Sequence, residues 1–263
     1  MKRLEKGIAI AVIVICAVVF VMSAISLIQI LLDYGKADDF YDKLNTPSTT
    51  ESVADTTEPD LQMQAYAAER MAFFDSVKAQ YPNVVGYISI PAASIAYPVV
   101  QGTDNEYYAA HLISGEESAS GSIFLDYRAS KDPSAAQNLV VYGHSMNNKT
   151  MFYRLRDLFD EAIFREGLVE YTCENGLYIY APFSVYVSTT KDPYYTCHFS
   201  DDESFLSFCK GRLGKSRFVE TDEYDEASRI LTLVTCSNSI SNPDERYIYH
   251  AILKEYYPRT EEE

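Results

Sequence analysis

Apolar and polar positions follow three different rhythms along this chain. From Ile8 to Ile28 no residue is charged, and only Ser23 and Ser26 are polar. As a helix that run spans ~31 Å at ~1.5 Å per residue, which matches a hydrocarbon core of ~30 Å. From Asp33 to about Pro59 large apolar residues are few, and Thr, Ser, Asp, Glu and Pro dominate the centre of the segment, as in a flexible stalk. From Asp60 to Gln80 an apolar stripe of Tyr66, Met71, Phe73, Phe74 and Val77 stands apart from Glu69, Arg70 and Lys78, which predicts an amphipathic helix packed on a core.

Beyond Gln80 the rhythm shortens. Strand-like runs fall at 84–90, 96–100, 121–125, 139–142, 169–172, 177–180, 183–188, 229–235 and 247–255. Many short strands with turn residues between them predict an all-β barrel or sandwich. Two helices interrupt it. Met151, Phe152, Leu155, Leu158 and Phe159 have helical spacing, and Ser200-Asp-Asp-Glu203 reads as a capping box ahead of Phe205, Leu206 and Phe208.

Composition narrows the function more than the fold. A 47% hydrophobic content in 263 residues is enough for one sizeable packed domain. The net charge of −16 argues against a phosphate-backbone binder and reads as a solvated surface. Lys2, Arg3 and Lys6 precede the apolar run and should stay cytoplasmic, which puts the rest of the chain outside. A cleaved signal peptide has a shorter apolar region of ~7–15 residues and a small-x-small site; Met22-Ser-Ala24 matches one poorly. The expected organisation is a cytoplasmic head 1–6, a transmembrane anchor 7–32, a stalk 33–59, a folded domain 60–258 and an acidic tail 259–263.

The candidate chemistry lies at strand ends. Cys236 closes the run Ile230-Leu-Thr-Leu-Val-Thr, Arg246 heads the next strand ten residues on, and His144 follows Gly143 just past the strand at 139–142. A thiol is only partly ionised near its free pKa of ~8.5, and the thiolate is the attacking species. A histidine can take its proton and later pass it to a leaving amine. Arginine stays protonated, so Arg246 suits an oxyanion or a substrate backbone rather than a base. Those three groups suffice for acyl transfer through a thioester. The rival histidines are His111, His198 and His250, the last sharing a strand face with Ile248 and Arg246. Four extracytoplasmic cysteines in so large a domain make no disulfide framework; Cys197 and Cys209 are either a bridge or plain thiols. Their spacing fits no zinc pattern, so no metal is expected.

The stretch Thr232-Leu-Val-Thr-Cys236, followed by a strand headed by Arg246, resembles the signature of the sortases. The likeness runs from about Asp60 to Tyr257 and is nearest to class B. Asn83-Val-Val-Gly-Tyr-Ile-Ser-Ile-Pro91 resembles the strand that opens class B domains. Tyr97-Pro-Val-Val-Gln-Gly-Thr-Asp-Asn-Glu-Tyr-Tyr108, Gly121-Ser-Ile-Phe-Leu-Asp-Tyr127 and Tyr142-Gly-His-Ser-Met146 match class B segments. Pilin-polymerising class C enzymes usually carry a C-terminal membrane segment and an upstream Asp-Pro-aromatic lid. Here nothing apolar follows Tyr257, and Asp192-Pro-Tyr194 sits between late strands.

The resemblance implies a mainly β fold: an eight-stranded barrel with N-terminal helices and an extra helix between the sixth and seventh strands. It implies transpeptidation that needs no cofactor, with Cys236 as nucleophile, His144 as acid/base and Arg246 as stabiliser. Cys236 would cleave a Thr-Gly-type bond in the C-terminal sorting signal of a secreted protein, and an amine of peptidoglycan would resolve the thioester. Asn105, Ser188, Thr189, Val234 and Thr235 are substrate-groove positions by similarity, although class B enzymes often have serine where this chain has Val234. The alternatives are a pilus-polymerising enzyme using a pilin lysine, and a non-catalytic, membrane-tethered peptide-binding scaffold.

Overall fold

The structure, a computed structural model, describes residues 2–45, 59–236 and 242–259. Residues 46–58 of the expected stalk and 260–263 of the expected tail therefore lie outside the described residues. The strands are β1 (Val84–Ile90), β2 (Ile95–Val100), β3 (Ile123–Leu125), β4 (Asn138–Tyr142), β5 (Val169–Cys173), β6 (Gly176–Thr189), β7 (Ile230–Cys236) and β8 (Glu245–Pro258). They close into one barrel in the order β1-β2-β3-β4-β7-β8-β6-β5. Nine expected runs become eight strands because 177–180 and 183–188 are both part of β6. Pro182 between them has no N–H to give, and the ladder to β8 absorbs it through register shifts at Ile179/Tyr180 and Pro182/Ser184.

Two neighbouring pairs, β2 with β3 and β4 with β7, are parallel, and the rest are antiparallel. Parallel neighbours need a crossover. The one between β4 and β7 holds a 3-10 segment (Phe152–Phe159), α3 (Glu161–Arg165), β5, β6 and α4 (Asp202–Leu213). The helix expected after His144 is thus this 3-10 segment, and α3 follows it separately, capped by the Asp160 carboxylate through the N–H groups of Ala162 and Ile163.

The main core contains Ile88, Tyr171, Tyr180, Leu231, Leu233 and Tyr249, all at most 1% exposed. Two helices seal the outside of the barrel. α2 (Pro59–Gln80) packs Ala67 and Met71 on Leu177 and Ile179. α4 packs Phe205, Phe208 and Cys209 on Phe183, Ile230 and Ile252. Each large apolar side chain buried this way contributes about 1.5–3 kcal/mol. The cap of α4 is Asp201 rather than the expected Ser200: its carboxylate accepts the Ser204 N–H at 2.8 Å, and the Ser204 side chain accepts the Asp201 N–H. A carboxylate at this place also meets the positive end of the helix dipole.

The N-terminal helix differs from expectation at its far end. α1 (Lys2–Asn45) is unbroken, and within it 12–44 is long and apolar enough by length and composition to cross a membrane. Residues 33–45, expected in the stalk, instead continue this helix onto the barrel, burying Ala37 and Tyr41. The reason is a sparse stripe of Tyr34, Ala37, Phe40, Tyr41 and Leu44, which packs against the main core amid otherwise polar residues.

Candidate active site

Strand polarity brings the candidate residues to one rim. Because β4 and β7 run parallel, both deliver their C-terminal ends to the same edge, and antiparallel β8 begins there. The β4–β7 register runs from Asn138↔Ile230 to Tyr142↔Val234, and the Gly143 N–H continues it by donating to the Val234 carbonyl at 3.2 Å. Two residues beyond the last pair, His144 is level with Cys236. On the other side Cys236 is the direct Cα partner of Arg246. One strand further, Ser188 partners Arg246 and Thr189 partners Glu245. Cys236, Arg246 and Ser188 thus occupy adjacent strands, each ~4.7–4.9 Å from the next, and His144 follows the end of β4 on the other side of Cys236.

The half-buried His144 is held on both its ring and its backbone. Nε2 lies 2.7 Å from the Ala109 carbonyl. A carbonyl only accepts, so Nε2 carries the proton, and Nδ1 holds the lone pair of the neutral ring. The His144 carbonyl accepts the Phe152 N–H at 2.8 Å. The preceding position must be glycine: a Cβ on Gly143 would stand 2.3 Å from Ile123 Cδ1 and 2.8 Å from the Phe152 ring. Arg246 is half-buried, and its Nη1 donates to the carbonyls of Pro243 and Glu245 at 2.9 Å each.

The remaining positions separate. Ser188 and Thr189 stand beside the row, both half-buried. Val234 and Thr235 lie just below it with buried side chains, Val234 in the main core. The Thr235 hydroxyl has no hydrogen-bond partner among the described residues. Asn105 is set apart. Its amide donates to Asp126 Oδ2 at 3.0 Å and accepts the Tyr127 N–H at 3.0 Å. Asp126 is tied by its N–H to Val140, four residues down β4 from His144. Burial alone would raise the Asp126 carboxyl, but hydrogen bonds from Arg128 and Asn105 hold it below the usual carboxylate range.

His250 belongs to a buried network that strand patterning alone did not disclose. Asn138 donates to the carbonyls of Tyr194 and Thr196, which leaves its Oδ1 to accept the Thr232 hydroxyl at 2.6 Å. The Thr232 oxygen then accepts from His250 Nδ1 at 2.8 Å, and His250 Nε2 accepts the Tyr186 hydroxyl at 3.1 Å. Arg212 Nη1 donates to that hydroxyl at 3.0 Å and to Asp192 Oδ1 at 2.7 Å, which Lys215 also reaches at 2.9 Å. The two carbonyls on the Asn138 amide thus set the donors and acceptors as far as His250 Nδ1. The available signal was a pair of polar residues, Thr232 and His250, inside apolar strands; they prove to be direct partners in the β7–β8 ladder.

The other thiols sit away from this rim. Cys173, Cys197 and Cys209 are free and buried, so 197 and 209 form no bridge. Burial pushes the Cys173 thiol up, and those of Cys197 and Cys209 up to about 12. Thiols raised in this way are poor nucleophiles. In the folded chain at about pH 8, iodoacetamide should leave these three unlabelled over a time that alkylates Cys236; peptide mapping by mass spectrometry reads this directly.

Comparison with known proteins accords with this geometry. A family profile described as the sortase domain matches residues 88–254. Sortase B of Staphylococcus aureus (strain NCTC 8325 / PS 47) is 30% identical over 176 residues, covering 66% of this chain and 72% of that protein. Among solved structures, Clostridium perfringens sortase B superposes with a TM-score of 0.63 at 32% identity, over 69% of this chain and 99% of that one. A Staphylococcus aureus sortase B–substrate complex superposes with a TM-score of 0.70 at 25% identity, over 85% of this chain and 99% of that one.

Proposed function

This chain belongs to the sortase family, with the class B enzymes, and is a cysteine transpeptidase; from that premise we propose that Cys236, His144 and Arg246 are its catalytic residues and that it joins secreted proteins to the cell wall from a membrane anchor. The observation that carries the residue roles is the register: Cys236 pairs with Arg246 across β7 and β8, and His144 follows the end of parallel β4 two residues past the Tyr142–Val234 pair, level with Cys236. The anchor rests on the apolar helix α1, and its orientation on Lys2, Arg3 and Lys6 ahead of the apolar run.

In this reading His144 Nδ1 takes the Cys236 thiol proton, since Nε2–H is spent on Ala109. The thiolate attacks the carbonyl carbon of a Thr-Gly-type bond in a C-terminal sorting signal. Arg246 donates to the oxyanion that forms. The imidazolium gives its proton to the departing amine, the C–N bond breaks, and the acyl group remains as a thioester on Cys236. An amine of peptidoglycan then attacks that carbonyl, His144 accepts its proton, and the thiolate leaves. Ser188 and Thr189, beside Arg246, border the substrate backbone, whereas Asn105, Val234 and Thr235 are substrate-groove positions by family similarity alone.

The test is a screen of peptides containing Thr-Gly-type bonds against the full chain in detergent micelles, with wall fragments as acceptors. The expected result is an acyl adduct on Cys236 and a product amide-linked to a wall-peptide amine. A product linked to a lysine of another secreted subunit would replace wall attachment by pilus assembly. Absence of any acyl adduct across the library would overturn the proposal.

A further inference from the structure

We propose that Tyr41 of the anchor helix is a positioning residue for His144, so that the segment leaving the membrane is part of the catalytic assembly; the inference rests on the reading of His144 given above. Tyr41 is 3% exposed and grips the His144 segment from two sides. On one side its hydroxyl reaches the Gly121 carbonyl at 3.2 Å and Ser122 Oγ at 3.3 Å. Ser122 in turn donates its N–H to the Tyr108 carbonyl at 2.8 Å and its hydroxyl to the His111 carbonyl at 2.7 Å. Gly121 has a left-handed φ of +56°, and a Cβ there would lie 2.7 Å from the Ala109 oxygen. That oxygen is the acceptor for His144 Nε2. Gly121 therefore lies between the Tyr41 hydroxyl and the atom that orients the imidazole.

On the other side the Tyr41 ring stands edge-on to Tyr97, with centroids 5.4 Å apart. The Tyr97 hydroxyl accepts the Met151 N–H at 2.9 Å. Met151 forms a bridge with Ser145, and the next N–H, that of Phe152, holds the His144 carbonyl. One side chain of α1 thus braces both the acceptor of the ring and the backbone of the loop.

The helix is also held lengthwise. Asp33 accepts the Ala119 N–H at 2.9 Å and the Ser118 hydroxyl at 3.3 Å, eight residues or roughly 12 Å before Tyr41. Phe40 packs edge-on against Tyr81 at 5.6 Å. A simple tether needs none of these contacts. Two separated attachment points fix both the height and the rotation of the helix, which is what a brace requires.

The experiment uses the full chain in detergent micelles, as Tyr41→Ala and Tyr41→Phe. The first removes ring and hydroxyl, the second only the hydroxyl bonds. Three quantities are read: the His144 Nε2–H resonance and its titration by ¹⁵N NMR, the pH profile of Cys236 alkylation by iodoacetamide, and the melting midpoint of the barrel. We expect the His144 resonance to move in both variants. Alkylation in Tyr41→Ala should slow roughly tenfold near neutral pH, within the 10²-fold that a 1 Å misplacement can cost, and Tyr41→Phe should fall between.

A folded Tyr41→Ala with an unchanged resonance and an unchanged alkylation profile would overturn the inference. Should Tyr41→Ala fail to fold, an unmoved resonance in Tyr41→Phe overturns it equally. The NMR readout needs no turnover. A failure of the catalytic reading, seen as continued cleavage by Cys236→Ala, is therefore distinct from a failure of this coupling.

Discussion

Cys236→Ala is expected to lose acyl transfer altogether, a fall of about 10⁴-fold or more in kcat/KM of the kind seen when a covalent nucleophile is removed. The methyl group cannot form the acyl bond, and no other thiol can substitute: Cys173, Cys197 and Cys209 are buried with raised pKa values, and Cys16 lies in the apolar part of α1, away from the barrel rim. His144→Ala should approach the same loss, because the ring placed by Ala109 is the proposed carrier of the proton both into and out of the thiol. Residues acting as one unit are not additive, so the double variant should be no worse than Cys236→Ala alone. Arg246→Ala should cost about 10²–10³-fold in kcat, as the loss of an oxyanion donor does. Lysine there should rescue little, because a single ammonium cannot hold the Pro243 and Glu245 carbonyls with one nitrogen and present a planar fork with the others. Cleavage kinetics on a peptide found by the library screen give these ratios. Turnover by Cys236→Ala comparable to that of the parent chain would rule out the nucleophile.

The second large effect is on stability and comes from His250. Burial above all, with the charges of Arg212 and Lys215 against the opposing pull of Asp192, lowers its pKa from 6.5 to about 3. The unfolded chain therefore binds one more proton than the folded one between those two values. Stability from this group is full above about 6.5 and declines as pH falls towards 3, by about 1.4 kcal/mol per unit. At about pH 5 the loss amounts to about 2 kcal/mol, a large part of a typical domain stability. Protonation has a structural meaning here. Nε2 would acquire a hydrogen facing the Tyr186 hydroxyl, whose proton already points at it, while Arg212 occupies the far side of that oxygen.

His250→Asn should lower stability at neutral pH by opening a cavity, yet flatten the pH dependence between about 5 and 7. Urea denaturation of the full chain in micelles, followed by tyrosine fluorescence since the chain has 22 Tyr and no Trp, measures both. Parallel slopes in the two proteins would show that another group governs the acid limb. Asp192 would act lower on the scale. Burial raises its carboxyl, but hydrogen bonds from Lys215 and Arg212 bring it below the ordinary value, so its contribution is lost only as the pH falls through that depressed range.

Much of this protein was legible in the sequence because its signals are local. Short β-rich runs bounded by turn residues mark strands, and a long uncharged apolar run marks a helix of membrane-spanning length. Accordingly the barrel strands, α2, α4 and the apolar part of α1 fell where the pattern placed them. The family likeness lay in the strings around Cys236, His144 and Arg246. The signals that misled were local averages. Residues 33–45 look like a polar stalk until the barrel surface exists on which Tyr34, Ala37, Phe40, Tyr41 and Leu44 can pack. The segments 177–180 and 183–188 look like two strands until β8 runs past both.

By itself, then, the sequence determined the elements, the chemical types at their ends and the family. Only the tertiary structure decided that β4 lies parallel to β7, which is what brings His144 level with Cys236, and that His250 is sealed beneath α4 while His144 stays at the rim. The physical reason is that strand order is chosen by burying both faces of the sheet at once, through contacts between residues far apart in the chain. Periodicity along the chain records which face is apolar, but not which neighbour will cover it.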